Sequence, residues 1–502
     1  MRRLALAVLI ASIVAVGVRW GTFVAGGSDS YCYLHQAERW ASGRLQVPDP
    51  MALDAPWPEA PLTFAPAGHR PSPTVPGAIV PICPPGLSMA MAPILALGGG
   101  DAVFLVVPLF GALLVGAAYA AGSRFGPRVG TASALVSAAS PVFLHQLVQP
   151  MSDVPAAALW MLAVAAVTGT HSRGPVVGGL ATAAALLMRP NLAPLGAPLA
   201  LFLLWRPERL WQDRLGAAAV FAACAAPGAL AVAAIQLAFH GSPWSSGYGP
   251  VESLFSLAHI TPNAVRYATW LTETQTPMWL LALAAPFLLP GALTRLFAGM
   301  VLVNAACYLP YVVFDDWSYV RFLLPTIPLV IVLAIASVDA ICRRVAPWSA
   351  RPMVAVAAMV LAILGVGEAQ TRSVFRLQAL ESRYERAGTF VGERLPPDAV
   401  VITSWQSGSV RFYSGRATLV WDTLDPSWLD RAVAYLERRG LEPYLLFETW
   451  EEPIFRRRFA GSTLGSLDWP PRAEIASRVR IYHPADRDRY VRGLQVNTEY
   501  AP

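Results

Sequence analysis

Apolar runs close to the twenty residues needed to cross a hydrocarbon core recur from Leu4 to about Glu368, separated by short arginine-bearing segments or longer polar loops. The first leaves the membrane near Gly27. Others lie near 101–122, 129–149, 154–170, 176–188, 192–205, 215–239, 277–293, 296–314, 322–341 and 353–366. The pattern predicts a polytopic α-helical membrane protein of about eleven transmembrane helices. The stretch at about 79–97, IVPICPPGLSMAMAPILAL, is interrupted by Pro81, Pro84, Pro85 and Pro93, which suits an interfacial or re-entrant element better than a span. Beyond about Thr371 charges become frequent and no spanning run appears. The expected division is a transmembrane domain over 1–370, with a first loop at about 28–78, and a soluble domain over 371–502. In the latter VVIT, TLVW and PYLLFE read as strands, alternating with helices near 427–439 and 451–459, a small α/β layer.

Arginine placement orients the bundle. If Arg2 and Arg3 stay in the cytoplasm and 79–97 does not cross, then Arg124, Arg128, Arg173, Arg206, Arg209, Arg214, Arg295, Arg343, Arg344 and Arg351 all face the cytoplasm. If 79–97 crosses, every later cluster flips outward, against the positive-inside rule. The first arrangement is therefore expected, with the N-terminus cytoplasmic and residues 28–78 and 371–502 extracytoplasmic. MRR followed by LALAVLIASIVAVGV also fits the start of a signal peptide, but no A-x-A site follows and an uncleaved first span is expected.

Composition narrows the chemistry. Of 502 residues, 55% are hydrophobic and 14% charged, too apolar for an ordinary soluble protein. All 38 basic residues are arginine, so no Walker A lysine and no Schiff-base lysine exists, which argues against ATP-driven transport and pyridoxal phosphate chemistry. The net charge of +6 is scattered at loop boundaries rather than striped, so no nucleic-acid partner is implied. Cys224, Cys307 and Cys342 fall in or beside apolar spans. Cys32 and Cys83 fall in the outer region, open either to bridging or to remaining free. No spacing suggests structural zinc.

Most acidic residues of the membrane region, including Asp29, Glu59, Asp153, Asp315 and Asp316, fall on the outer side, so the chemistry is expected there. Asp29 opens SDSYCYLHQAERWASGR, whose Tyr31, Leu34, Ala37 and Ala41 recur near helical spacing and predict a surface-lying amphipathic helix. On local sequence alone, Ser28 or Asp29 as its cap is the simpler account. Asp153, in QPMSDVPAAALW, stands at the outer end of another span, and a cap is again the bland account. Arg189 in LLMRPNLAP and Arg321 in DDWSYVRFLLPTIP lie at the outer boundary of apolar spans, where a guanidinium either snorkels or grips a lipid phosphate. His69 and Arg70 in APAGHRPSP, and Tyr248 in HGSPWSSGYGP, are weaker candidates; ordinary loop solvation accounts for each.

Taken in order, the first-loop Asp in SDSYCYLHQAERWASGRL, CPPGLSMAMAPILAL, MSDVP, LLMRPNLAPL, FHGSPWSSGYG and RFLLPTIPLV resemble the GT-C superfamily of membrane glycosyltransferases, particularly bacterial relatives of protein O-mannosyltransferases and the lipid A aminoarabinose transferase. The resemblance covers about residues 1–370. It implies transfer of a sugar, usually with inversion, from a polyprenyl-phosphate donor to an acceptor hydroxyl of a lipid, glycan or protein at the outer face of a bacterial cytoplasmic membrane. It makes Asp29 the general base, Asp153 its assistant, Arg321 and then Arg189 the donor-phosphate ligands, and Tyr31, His69, Arg70 and Tyr248 substrate contacts. Some relatives use a divalent cation; Ser30 stands here where a second acidic residue is common, which leaves metal use open. The competing readings are a transporter or lipid flippase, which would place polar groups near mid-membrane, and a noncatalytic scaffold.

Overall fold

The computed structural model describes residues 2–205, 210–345 and 350–501. Arg206 and Arg209, counted above among the orienting arginines, lie outside the described residues, as do the side chains of Arg2, Arg3 and Arg351. The chain forms two compact units: Met1–Gly21, Pro84–Gln236 and Tyr248–Leu377 make the first, and Thr22–Cys83, Leu237–Gly247 and Gln378–Pro502 the second.

The first unit is helical. Among the described residues three helices are long and apolar enough to cross a membrane: Gly100–Gly122, Trp211–His240 and Pro352–Thr371. A fourth results if Trp317–Leu323 and Ile327–Val345, bent by 81°, form one span. This is a membrane protein. The remaining apolar helices are shorter, and proline explains several of the breaks. The stretch expected as one span at 129–149 is two helices, Pro127–Ala138 and Pro141–Leu147, because Pro141 has no N–H to continue the ladder. Pro190 likewise ends helix Gly174–Met188 by forcing Arg189 into an extended conformation (φ −149°, ψ 89°). At the centre, Asp153–Val167 is buried on every face, with Trp160 and Met161 wholly enclosed. Small residues permit close helix approach: a Cβ on Gly228 would lie 2.5 Å from the Ala183 Cα.

The second unit gathers the first loop, a short middle segment and the C-terminal region. The loop contributes β1 (His69–Pro71) and β2 (Ile79–Pro81), an antiparallel pair. The C-terminal region contributes β3 (Ala399–Thr403), β4 (Ala417–Val420), β5 (Glu442–Glu448), β6 (Ala473–Ile475), β7 (Val479–Tyr482) and β8 (Glu499–Ala501). These six form one sheet in the order β4-β3-β5-β7-β6-β8, parallel across β4-β3-β5 and antiparallel at β5-β7 and β6-β7. Both faces are covered, and successive residues of β3 serve opposite cores. Val400 and Ile402 pack with Leu445, Phe447, Phe455 and Leu436, whereas Ala399 and Val401 pack with Tyr444, Leu446, Ala387 and Val391.

In the first loop Ala52, Trp57, Ala60 and Phe64 are buried in the same core as Val400 and Leu429, so burial of its aromatic side chains ties it to the C-terminal sheet. The segment after Gly27 is a helix, Asp29–Ser42, but not a surface-lying one. Tyr31, Cys32, Tyr33, Leu34, Gln36 and Ala37 are all buried, a span of faces too wide for one apolar stripe. Cys32 and Cys83 are bridged, with Cα atoms 6.2 Å apart, which fastens this helix to the strand β2 end of the loop. Cys224, Cys307 and Cys342 are free.

Candidate active site

In the helical unit the structure brings Asp153, Arg189 and Arg321 together. Asp153 begins its helix, where the helix dipole favours an acidic side chain, and is 1% exposed. Its Oδ1 accepts from Arg189 Nη2 at 2.6 Å and its Oδ2 lies 3.9 Å from Arg321 Nη1. Arg189 also donates from Nη1 to Tyr308 Oη at 3.2 Å, and Asn191 donates to the same hydroxyl at 2.9 Å. Arg321 donates to Met151 Sδ at 3.5 Å and stands 5.2 Å from the Tyr319 ring centroid, while both guanidiniums face the Phe322 ring. Each arginine is held by named partners. Arg189 is placed by its own Pro190 and by Gly86 of the CPPGL segment, whose helix abuts the backbone just before it. A Cβ on Gly86 would lie 2.5 Å from the Leu187 carbonyl carbon. Two guanidiniums beside one carboxylate form a setting in which a phosphate oxygen finds charge-assisted donors of the right geometry.

Asp29 belongs to the second unit. It is the first residue of helix Asp29–Ser42, half-buried, and Ser28 at the cap position makes no side-chain cap hydrogen bond. The turn is tightly determined. Gly68 (φ +81°) packs against it so closely that a Cβ would fall 2.5 Å from the Ser28 carbonyl oxygen. One turn into the helix, the Tyr31 ring fills the space over Gly408 and meets Phe412 edge-on, so it is enclosed rather than presented to a cleft. Tyr248 lies in the helical unit, exposed after Gly247; Arg70 is exposed on β1.

His69, 7% exposed, has a partner the sequence reading missed. Arg39 Nε donates to His35 Nε2 at 3.1 Å. Since arginine only donates, His35 carries its hydrogen on Nδ1 and donates it to His69 Nε2 at 2.9 Å. The signal was present as a His and an Arg one helical turn apart, but the third member comes from another element. The pair borders a small cleft of about 20 Å³, lined also by Gln36, Val47, Ile79 and Phe239. Burial, reinforced by the facing histidine and by Arg39, pushes His35 down to about 2, and burial pushes His69 down to about 3. Both rings are neutral when folded but protonate near pH 6.5 in the unfolded chain. Their contribution to stability is therefore complete above about pH 6.5 and is progressively lost as pH falls below it. Thermal unfolding of the full chain should show a melting temperature that drops on acidification through this window, and less steeply in His69→Gln. Equal slopes would remove the pair from the account.

Among the described residues no three His, Cys, Asp or Glu side chains converge to hold a metal ion.

Residues 83–233, under a third of the chain, match the family model described as dolichyl-phosphate-mannose-protein mannosyltransferase. No curated protein matches the chain in sequence. Among solved structures it is similar to ArnT of Cupriavidus metallidurans bound to undecaprenyl phosphate, at 13% identity and a TM-score of 0.57, covering 90% of this chain and 94% of that one. It is similar to the oligosaccharyltransferase AglB of Archaeoglobus fulgidus, solved with an inhibitory peptide and a dolichol-phosphate, at 10% identity and a TM-score of 0.53, covering 92% and 71%. It is also similar to the mycobacterial arabinofuranosyltransferase AftD, at 15% identity and a TM-score of 0.54, covering 89% and 37%.

Proposed function

We propose that this chain, whose fold is that of the GT-C superfamily of membrane glycosyltransferases, transfers a sugar from a polyprenyl-phosphate donor to an acceptor hydroxyl outside the cytoplasm. The observation that carries the reading is the buried convergence of Arg189 and Arg321 on Asp153 at helix ends, within this fold. The phosphate of the donor binds these guanidiniums. The acceptor oxygen attacks the anomeric carbon and Asp29 takes its proton. The bond from that carbon to the phosphate oxygen breaks with its electron pair on the oxygen, where Arg321 and Arg189 stabilise the charge. A single displacement of this kind inverts the anomeric centre. The products are the glycosylated acceptor and polyprenyl phosphate. Asp153 keeps the arginines in place, and Tyr31, His69, Arg70 and Tyr248 serve as supports or contacts for the substrates.

Membrane topology follows the arginine argument and gains support from the second unit. Its three segments, Thr22–Cys83, Leu237–Gly247 and Gln378–Pro502, fold as one body and must share one side of the membrane. In the eleven-span count six crossings separate the first from the second and four the second from the third, both even. An additional crossing at 85–96 would make one count odd. The Cys32–Cys83 bridge favours the oxidising, extracytoplasmic side. The cytoplasmic membrane of a bacterium, with the N-terminus inside, is the setting this implies.

The test is transfer of radiolabelled sugar from a panel of polyprenyl-phosphate donors to membrane acceptors by the reconstituted full chain. Label appearing in acceptor in proportion to enzyme is the expected result. Absence of transfer from every donor, with translocation of lipid or sugar across the vesicle wall instead, would replace this reading with that of a transporter.

A further inference from the structure

The parallel strands β4, β3 and β5 end side by side, and the carboxyl ends of such strands are where open α/β sheets bind ligands. Here those ends carry Asp422, Trp405 with Gln406, and Glu448 with Trp450 and Glu451. Two tryptophans stand out in water: Trp405 is 46% exposed and Trp450 48%, with ring centroids 5.8 Å apart at an interplanar angle of 68°. Large indole faces left exposed beside each other mark an interaction surface.

Their surroundings say what kind. Trp450 donates from Nε1 to Glu448 Oε2 at 3.0 Å, so its ring is fixed in place. The Trp405 backbone N–H donates to Glu451 Oε1 at 3.4 Å, and Glu451 Oε2 accepts from the Glu448 N–H at 2.8 Å. Gln406 Nε2 donates to Glu448 Oε1 at 3.1 Å. Glu448, Glu451 and Gln406 are buried beneath the rings, and Asp422 is exposed beside them. Rigid aromatic faces held from beneath, with the exposed Asp422 carboxylate as an acceptor at their edge, suit a ligand that has one apolar C–H face and a rim of hydroxyl donors. A sugar ring has both. The exposed Asp422 carboxylate disfavours a phosphate or an anionic lipid surface there.

The surface is also joined to the segment bearing Asp29. Arg383 donates from Nε to Glu448 at 3.0 Å, from Nη1 to Glu381 at 3.0 Å and from Nη2 to Tyr384 Oη at 3.1 Å. A Cβ on Gly26 would lie 2.6 Å from the Tyr384 ring and 3.1 Å from the Glu381 carboxylate. Three residues after Gly26 comes Asp29. From the other side, Ser407 Oγ accepts from the Ala67 N–H at 2.9 Å, one residue from the Gly68 that abuts Ser28.

We propose that Trp405 and Trp450, held in place by Glu451 and Glu448, form with the exposed Asp422 a saccharide-binding subsite that holds a glycan acceptor for transfer. The acceptor role rests on the glycosyltransferase reading above; the binding of a saccharide does not. One sugar ring stacks on each indole face, and a hydroxyl donates to the Asp422 carboxylate.

The test is binding without any donor present. Full-length protein in detergent is titrated with neutral maltohexaose, α-1,6-mannohexaose and arabinohexaose, followed by saturation-transfer NMR from the protein to sugar C–H protons. A tetralysine peptide is the control for simple attraction to the carboxylates. At least one hexasaccharide should bind saturably, and Trp405→Ala and Trp450→Ala should each weaken it by about ten-fold or more. Trp405→Phe and Trp450→Phe, which keep an aromatic face and the fold, should retain part of the affinity. No saturable hexasaccharide binding overturns the proposal. So does binding that stays within about two-fold of wild type in both alanine variants, or tetralysine as the sole ligand displaced by them. Because no donor is present, failure of transfer leaves this result standing. Conversely, wild-type transfer with unchanged sugar binding in the alanine variants removes the subsite alone.

Discussion

Asp29→Asn should lower the turnover of sugar transfer by about a thousand-fold while leaving the affinity for polyprenyl phosphate unchanged. Asparagine keeps the size of the side chain and one carbonyl oxygen, so the acceptor hydroxyl still has a hydrogen-bond partner, but the amide does not take its proton. The helix start that carries Asp29 is held by Gly68 against Ser28 and by the Cys32–Cys83 bridge three residues on, so the substitution does not move its neighbours. Matching melting temperatures would establish this. The loss should therefore fall on the rate at saturating acceptor and not on the Michaelis constant. Activity within about ten-fold of wild type would show that another group removes the proton, a general base being worth at least about a hundred-fold.

How far this site was legible depends on what kind of information placed each residue. Arg189 and Arg321 stood out because a guanidinium at the edge of an apolar run is costly, and Asp153 because it opens a span; these are local facts. That Asp153 pairs with Arg189, 36 residues away, and approaches Arg321 is tertiary, and no periodicity carries it. The packing of the first loop was hidden for the same reason. Trp57 and Phe64 lie among prolines with no regular spacing, and only the fold reveals that their core is the C-terminal sheet. In that sheet β3, β4 and β5 were visible as apolar runs, whereas β6 and β8 are three residues long and β7 contains Arg480, too short or too polar to register. The break at Pro141 was written in the sequence and was overridden by the apolarity around it. His35 and Trp405 were not singled out because a helical histidine and a tryptophan before a polar turn are each commonplace; partner and exposure give them meaning.

Asp153 separates a structural ion pair from a lipid site. Asp153→Ala leaves the Arg189 and Arg321 guanidiniums, with side chains 11% and 14% exposed, without their carboxylate, and breaking a buried pair in this way costs about 3–5 kcal/mol. A fall in melting temperature of that origin is expected on either account. The two accounts part when undecaprenyl phosphate is added. If the arginines bind the donor phosphate, the lipid supplies the anion that the variant lacks, and stabilisation follows RT ln(1 + [L]/Kd). That is about 2.7 kcal/mol at a hundred times Kd, so most of the lost stability should return. The variant should also gain more from the lipid than the wild type, whose guanidiniums already have Asp153. A second substitution checks the sign: Arg321→Met in the Asp153→Ala background removes one stranded cation, recovers stability without lipid and weakens the lipid effect. A single variant that loses stability yet gains nothing from undecaprenyl phosphate, beyond what the wild type gains, would reduce the Asp153 cluster to a structural clasp and move the donor phosphate elsewhere.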